Sequence, residues 1–469
     1  MADDEMVFSG ETLESLLEAS KTPEGRWHLA SAGTLDAILR LPSFPPHTLL
    51  HYLRLLRNLC AGEAANQDSF IESGGPDRIA AILLGPRPAP PEVLRAGLQL
   101  LGNVALAGEA HRSAVWARFF PSGFLELARV REPGVCDPLC MVLDTCCSSD
   151  GGRWRLEELC GFEKGLPILL EIITTASTAG HHEEWLEWLL SKVCIEDPYF
   201  FLLFSKLGPS NVSHNSSGVE YQYTVFTNEQ AFLLGVLSKC LTERPEDITI
   251  SNDFALDILK ILKAASTIVD FNSRGSSALP TGSPAIDVLG YSLAILRDIC
   301  AWENPTSPAT ETLIDSLLSA GFLELLLSYL HQLEPPSTVR KSIIHVKDQI
   351  IQQPITDSSK VCPYKGYRRD VVSVIGNCLH RRKQVQDETR LLNGIPLLLQ
   401  QCVVDEDNPF LREWGLLAVR NLLEGNEENQ CAVAQLELQE PVTSPEIAGL
   451  GLKVEVDKES GRAKLVNIS

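Results

Sequence analysis

Cysteine is the most reactive side chain in this sequence, and five of the thirteen cysteines crowd into one short stretch: Cys136, Cys140, Cys146, Cys147 and Cys160. A structural zinc site needs four ligands that converge on the metal, usually from a compact scaffold of the C-x-x-C type. The spacing here is that of helix faces and does not offer such a scaffold. We therefore expect reduced thiols packed in a core, and no bound metal.

Histidine and serine give no better catalytic pattern. His181 and His182 are adjacent and would point to different faces of a helix, unlike the pair in His-Glu-x-x-His. The loop of residues 210–217 is rich in serine but has no defined acidic partner for a triad. Phosphate-binding glycine loops and the Gly-x-Ser-x-Gly elbow are absent from the sequence. We expect no catalytic residues, no cofactor and no enzyme, and an unrecognised hydrolase or metal enzyme is the least favoured alternative.

Asparagine is the one polar residue that recurs with the architecture. It closes a repeated phrase in which apolar residues and an Arg or Gly precede the amide, at Asn58, Asn103, Asn377 and Asn421. Such an amide can bind the backbone of a partner, or it can form a hydrogen bond within its own stack, and the sequence leaves both roles open. Three cations near the same row, Arg54, Arg57 and Arg420, would favour an acidic ligand.

The spacing of the phrase identifies the elements that position it. Asn58 and Asn103 lie about forty-five residues apart, and Asn377 and Asn421 about forty-four, which is the period of armadillo or HEAT helical units. A second phrase, a small turn with Gly followed by an apolar run, opens a helix near Gly33, Gly74, Gly123, Gly165, Gly321 and Gly394. The sequence therefore predicts an all-α, armadillo-like α-solenoid, a right-handed superhelix of helical repeats.

The motifs also resemble one family within the armadillo-like superfamily. The segments 393–397, 405–422 and 426–430 are similar to the C-terminal domain of the ataxin-10 family. The N-terminal segments 57–60, with Asn66 and Gln67, and 97–103 are also similar to that family. The resemblance implies a non-enzymatic protein-interaction scaffold with a role in signalling, cell division or cytokinesis. The alternative is an armadillo-type transport adaptor that binds an extended peptide in its concave groove.

A comparison with importin-α-like armadillo proteins bears on that alternative. In those proteins a Trp one turn before the Asn packs against the bound peptide. Here the residues four positions before the amides are Arg54, Gln99, Ser373 and Leu417, so a tryptophan ladder is missing. Recognition of nuclear signals by an importin-type groove is therefore disfavoured.

The last repeat has the most informative helix start. Pro409 suits the first position of a helix capped by Asp407 or Asn408. Phe410, Trp414 and the amide at 421 would then share one face. We predict that Pro409, Phe410 and Trp414 are structural residues, the two rings locking the last repeats together.

The remaining predictions concern boundaries and partners. We divide the chain into armadillo-like repeats over 1–365, with polar insertions near 205–220, 271–285 and 334–366, and C-terminal repeats over 366–469. Alternating apolar residues after Gly449 predict a β-hairpin.

A net charge of −21 disfavours nucleic acid as a partner, and a solvated acidic surface explains this charge better than a basic peptide partner does. The start lacks a secretory signal, so we expect a cytoplasmic protein that does not bind membranes. We expect its partners to be other proteins, with a second copy of the chain as one candidate.

Overall fold

The computed structural model describes residues 10–41, 44–148, 151–179, 184–209, 225–302, 313–339, 360–436, 452–456 and 463–467. Contacts divide the chain into two compact units, 1–254 and 255–469. This division differs from the boundary at 365/366 taken from motif resemblance, which stays a prediction. Most of the predicted hydrophobic periodicity is realised as helices, and the all-α, armadillo-like repeat fold with a short C-terminal β-hairpin is confirmed.

Unit 1 is built from short amphipathic helices, with a π-helical turn at Lys192–Glu196 and a 3-10 turn at Pro245–Asp247. The α-helices of this unit are α1 Gly10–Ala19, α2 Pro23–Ser31, α3 Thr34–Leu39, α4 Leu49–Leu59, α5 Ala64–Glu72, α6 Gly75–Leu83, α7 Pro91–Ala105, α8 Glu109–Phe119, α9 Ser122–Ala128, α10 Pro133–Cys147, α11 Arg153–Cys160, α12 Leu166–Ala179, α13 Glu184–Ser191, α14 Phe200–Lys206 and α15 Asn228–Glu243.

Unit 2 continues the pattern, and its first helix begins just before the division between the units. Its elements are α16 Asn252–Ile268, α17 Pro284–Trp302, α18 Leu313–Ser319, α19 Phe322–Gln332, α20 Tyr367–Leu379, α21 Lys383–Leu391, α22 Gly394–Leu399, α23 Leu411–Leu423, α24 Glu427–Ala434, and strands β1 Leu452–Val456 and β2 Ala463–Asn467.

Equivalent helices of successive repeats pack side by side. In unit 1 the order is α4, α7, α10 and α13, and in unit 2 it is α17, α20 and α23. Helix α4 packs against α7, and its leucines at 53, 55, 56 and 59 are all fully buried. Burying such a side chain contributes roughly 1.5–3 kcal/mol, so the stack is held mainly by apolar contact between neighbouring repeats.

The permissive backbone predicted at the glycine turns is confirmed at three of the six positions. Gly33, Gly74 and Gly321 have φ angles of 68°, 71° and 79° immediately before a helix. These angles lie in the left-handed region, where a side chain is unfavourable. At the last copy Asn393 itself takes this conformation, with φ of 58°, because its short polar side chain tolerates it.

The predicted start of the last Asn-bearing helix is wrong. Helix α23 begins at Leu411, and the Leu411 amide donates to the Asn408 carbonyl at 3.0 Å, so Pro409 and Phe410 form the centre of a turn. Phe410 has φ of 65° and is 69% exposed, so its ring does not lock the last repeats together. Asn408 is not a cap because its Oδ1 accepts the backbone N–H of Arg368 at 3.0 Å.

Strands β1 and β2 pair antiparallel, with Leu452 opposite Asn467 and Val456 opposite Ala463, which confirms the hairpin. Of the three predicted insertions, the second is described in full, while 210–224 and 340–359 lie outside the described residues, as do His181, His182 and Glu183. Among the described helices no single one is long and apolar enough to cross a membrane, and one bent pair, α18 with α19, passes on length and composition only.

Candidate protein-interaction surface

The repeated amides form the same hydrogen bond in both units. Asn103 Nδ2 donates to the Arg57 carbonyl at 2.9 Å, joining α7 to α4. Asn421 Nδ2 donates to the Gly376 carbonyl at 2.9 Å, joining α23 to α20, and Asn377 Nδ2 donates to the Arg297 carbonyl at 3.0 Å, joining α20 to α17. In each case the acceptor is the residue just before the equivalent position of the preceding repeat. We call each of these three hydrogen bonds a rung, since it joins an Asn-bearing helix to the equivalent helix of the preceding repeat.

At the ends of α4 and α20, the rung donates an N–H to a carbonyl that accepts no hydrogen bond from the next turn of its helix. Near the end of α4, the Ala61 N–H donates to the Asn58 carbonyl, so the Arg57 carbonyl receives no bond from the next turn. The same happens at the end of α20, where the His380 N–H donates to the Asn377 carbonyl instead of Gly376. Carbonyls in the last turn of a helix need outside donors, and the amide of the next repeat supplies one.

A glutamine nine residues after the amide forms a second rung that the sequence analysis did not assign. Gln67 Nε2 donates to the Cys60 and Asn103 carbonyls at 2.9 and 2.8 Å, bridging the ends of α4 and α7. Gln386 Nε2 does the same for Leu379 and Asn421, at 3.3 and 2.8 Å. The equal spacing of Asn and Gln in the first and third phrases was the available signal.

Asn58 differs from the other amides because its acceptor is a side-chain hydroxyl and not a backbone carbonyl. Its Nδ2 donates to Ser20 Oγ at 3.0 Å, and Ser20 Oγ donates in turn to the Leu17 carbonyl at 2.7 Å. The Asn58 Oδ1 accepts from Arg57 Nε and Nη2 at 3.2 and 3.0 Å. This amide therefore orients the neighbouring guanidinium as well as attaching α4 to the residues after α1.

The predicted cations of unit 1 lie on the face that carries these rungs. Arg54, Arg57 and Asn58 line one cleft, and Arg57 Nη1 also donates to Gln99 Oε1 on α7 at 2.8 Å. Burial lowers the pKa of Arg57, and the positive charges of Arg54 and Arg95 lower it further. The local potential is therefore positive, although the chain as a whole carries a net charge of −21.

In unit 2 the cations are mostly engaged internally. Arg368 is 2% exposed and donates to Gln401 Oε1 at 3.2 Å, and Arg369 Nη2 lies 2.6 Å from Asp370 Oδ1. Arg382 Nη1 donates to the Asn377 carbonyl at 3.2 Å. The sequence places seven Lys and Arg residues between 360 and 383, and these internal contacts mean that the stretch is not one solvated basic surface. Arg420, the predicted cation of the last repeat, is exposed on α23.

The cysteine group packs in the core of unit 1. Cys136, Cys140, Cys146, Cys147 and Cys160 are free and buried. Burial raises the pKa of Cys146 and of Cys160 to about 12, which keeps both thiols protonated and unreactive. Within the described ranges no group of three or more His, Cys, Asp or Glu side chains is placed to hold a metal ion.

The comparisons with known proteins find similarity to ataxin-10 proteins. The model for the spinocerebellar ataxia type 10 protein domain matches residues 367–466. Ataxin-10 of Homo sapiens is 26% identical over 409 residues, which cover 86% of this chain and 78% of the human protein. An ataxin-10 homolog of Dictyostelium discoideum is 36% identical over 104 residues, 22% of this chain and 17% of that protein.

Similarity to solved structures is weaker. A designed armadillo repeat protein in complex with the peptide (KR)4 is 14% identical and has a TM-score of 0.30, with 48% of this chain and 92% of that chain covered.

Proposed function

Since the chain belongs to the ataxin-10 family, we propose that this helical-repeat protein is a non-enzymatic scaffold for protein–protein interactions. Its partners are other proteins, with a second copy of the chain among the candidates, and neither nucleic acid nor membrane is a target. We place its activity in the cytoplasm, with a role in signalling or in cell division and cytokinesis.

The observation that carries the proposal is the repetition of the amide rung. Because Asn103 in unit 1, and Asn377 and Asn421 in unit 2, each bond to the preceding repeat at the same position, the side chains one and two turns away recur in register within each unit. Stacked repeats present such equivalent positions as an extended surface, which is the way solenoid proteins bind their partners.

The experiment that tests the proposal compares proteins that copurify with the intact chain and with variants of this surface. Arg420→Glu reverses an exposed charge on α23, and Arg87→Glu makes the same change in the turn between α6 and α7 as a matched control. We expect Arg420→Glu to lose partners while its melting temperature stays that of the parent, and Arg87→Glu to retain them. Equal recovery by all three proteins would contradict the proposed surface.

The role in division is tested separately. Depleting the protein from dividing cells should raise the fraction of binucleate cells, and the parent chain should restore the normal fraction. If depletion leaves this fraction unchanged, the role in cytokinesis is excluded while the scaffold function stands.

A peptide-binding adaptor is the second candidate, and one observation favours it. Each amide side chain has two N–H donors and an acceptor oxygen, and the rung of Asn103 or Asn377 occupies one donor. Both side chains are half-buried, and within the described part of the chain neither makes a further side-chain hydrogen bond. In this second candidate, the remaining N–H and the oxygen bind an extended backbone. Replacing Asn103 by Asp would remove both donors, so an adaptor would lose peptide affinity beyond any loss of stability.

A further inference from the structure

A cleft of about 600 Å³ opens in unit 1 beside Asn58, the first of the repeated amides. Its walls come from the last turn of α1 and the residues that follow it, from the first turn of α2, and from the last two turns of α4 with the residues just after them. The polar side chains that line it are Ser20, Lys21, Arg26, Arg54, Arg57 and Asn58. Its volume is in the usual range for a ligand-binding site.

The lining contains four cations and no carboxylate. This is an unusual composition for a chain with 61 acidic and 40 basic residues. Lys21 pairs with Glu18 at 2.5 Å, but both side chains are more than half exposed, so the pair is weak. Within the described part of the chain, Arg54 and Arg57 have no carboxylate at ion-pairing distance.

Arg57 is held in place before any ligand arrives. Three of its five N–H donors are used, two by Asn58 Oδ1 and one by Gln99 Oε1, and Asn58 is itself fixed by Ser20. Two donors of the guanidinium remain for an anion. A side chain that is already oriented loses little conformational entropy on binding, which favours affinity.

In the cleft without a ligand, the positive charges of neighbouring arginines repel one another, and a bound anion would reduce this repulsion. Arg54 and Arg57 stand three residues apart on one face of α4, the spacing at which like charges destabilise a helix. Arg95 on α7 adds a third charge that acts on Arg57. Helix-end capping accounts for Arg26, which donates to the Ser20 and Lys21 carbonyls at 3.4 and 3.3 Å, but not for Arg54.

We propose that this cleft binds the carboxylate side chains of an acidic peptide segment in a partner protein. The inference rests on the proposed scaffold function and names the chemistry of one partner. The cations come from three separate elements, namely the residues after α1, the first turn of α2 and α4. Carboxylates at successive positions of a peptide match such an arrangement, whereas a single phosphate group would need donors that converge on it.

The test is binding of a fluorescently labelled poly-glutamate peptide to the full chain, followed by anisotropy at low salt. Arg54→Gln is the informative variant because Arg54 is exposed, and Arg87→Gln removes the same charge from the same unit outside the cleft. We expect Arg54→Gln to weaken binding about tenfold or more, the size of a lost charged hydrogen bond. Arg87→Gln should bind as the parent does.

The other outcomes overturn the inference in different ways. Equal weakening by both variants would mean non-specific attraction, and no binding by the parent would mean that the cleft does not bind carboxylates. If millimolar inorganic phosphate displaces the peptide that is bound at low salt, and the peptide does not bind at physiological salt, the cleft is a phosphate site. If the peptide binds the cleft but no proteins copurify, the scaffold function fails and the cleft stands. If proteins copurify without peptide binding, the reverse holds.

Discussion

Replacing Asn421 by alanine removes the rung between α23 and α20 and leaves a carbonyl without a donor. Asn421 is 4% exposed, and the Gly376 carbonyl that accepts its N–H at 2.9 Å receives no bond from the next turn of α20. Leaving a buried acceptor unsatisfied costs about 1–3 kcal/mol. We therefore expect Asn421→Ala to lower the free energy of unfolding of this region by about 2 kcal/mol.

Stacked repeats open locally, so the measurement must resolve regions. Hydrogen exchange followed by mass spectrometry reports the opening free energy of individual segments. The loss should be concentrated in peptides from Tyr367–Leu379 and Leu411–Leu423, because each repeat contacts only its neighbours. Peptides from unit 1 in the same sample provide an internal reference.

Gln430→Ala is the matched control. Gln430 Nε2 also donates to a helix-end carbonyl, that of Leu423 at 2.8 Å, but this bond is exposed. Water can replace an exposed donor, so the control should change the opening free energy by at most a few tenths of a kcal/mol. If both variants exchange alike, burial of the rung does not govern its contribution and the reasoning is refuted.

Two further predictions concern unit 2. Burial and the nearby charge of Glu324 raise the pKa of Glu388 from its usual 4.5, so over a pH range above that value the folded chain holds a proton that the unfolded chain has released. This carboxyl therefore destabilises the fold as pH rises through that range. Glu388→Gln should raise the melting temperature at pH 7 more than at pH 4. An equal gain at both pH values would contradict the link between the pKa of Glu388 and stability. Phe410→Gly should leave the chain as stable as the parent or stabilise it by up to about 1 kcal/mol, because φ is 65° and the ring is exposed; a loss above about 2 kcal/mol in urea unfolding would show that the ring packs.

The missed helix start shows why local pattern has limits. Pro409 after Asp407 and Asn408 is a strong local signal for a capped helix. The signal failed because Asn408 is used by a distant segment, accepting the N–H of Arg368, and because the Gly366 N–H donates to the Asp407 carbonyl. These bonds span about forty residues of sequence and form only when α20 and the turn before α23 have packed.

The amides show the same limit at the candidate site. Their type and period predicted that Asn58, Asn103, Asn377 and Asn421 occupy equivalent positions, but a side chain with both donor and acceptor fits a bound peptide as well as a neighbouring helix. The structure identifies the carbonyl that three of the amides reach, and among these four residues Asn58 alone reaches a hydroxyl. The binding of a partner by these residues stays a prediction.

The sequence by itself determined the helical repeat, its period, the glycine turns, the hairpin and the family resemblance, because each is encoded by spacing within a few tens of residues. Tertiary structure decided which side chains meet across repeats. Only packing brings Arg26 and Lys21 against Arg54 and Arg57 to make a cationic cleft in an acidic chain. Net charge is a sum over the whole molecule, whereas a binding site depends on where the few charges without counter-ions lie.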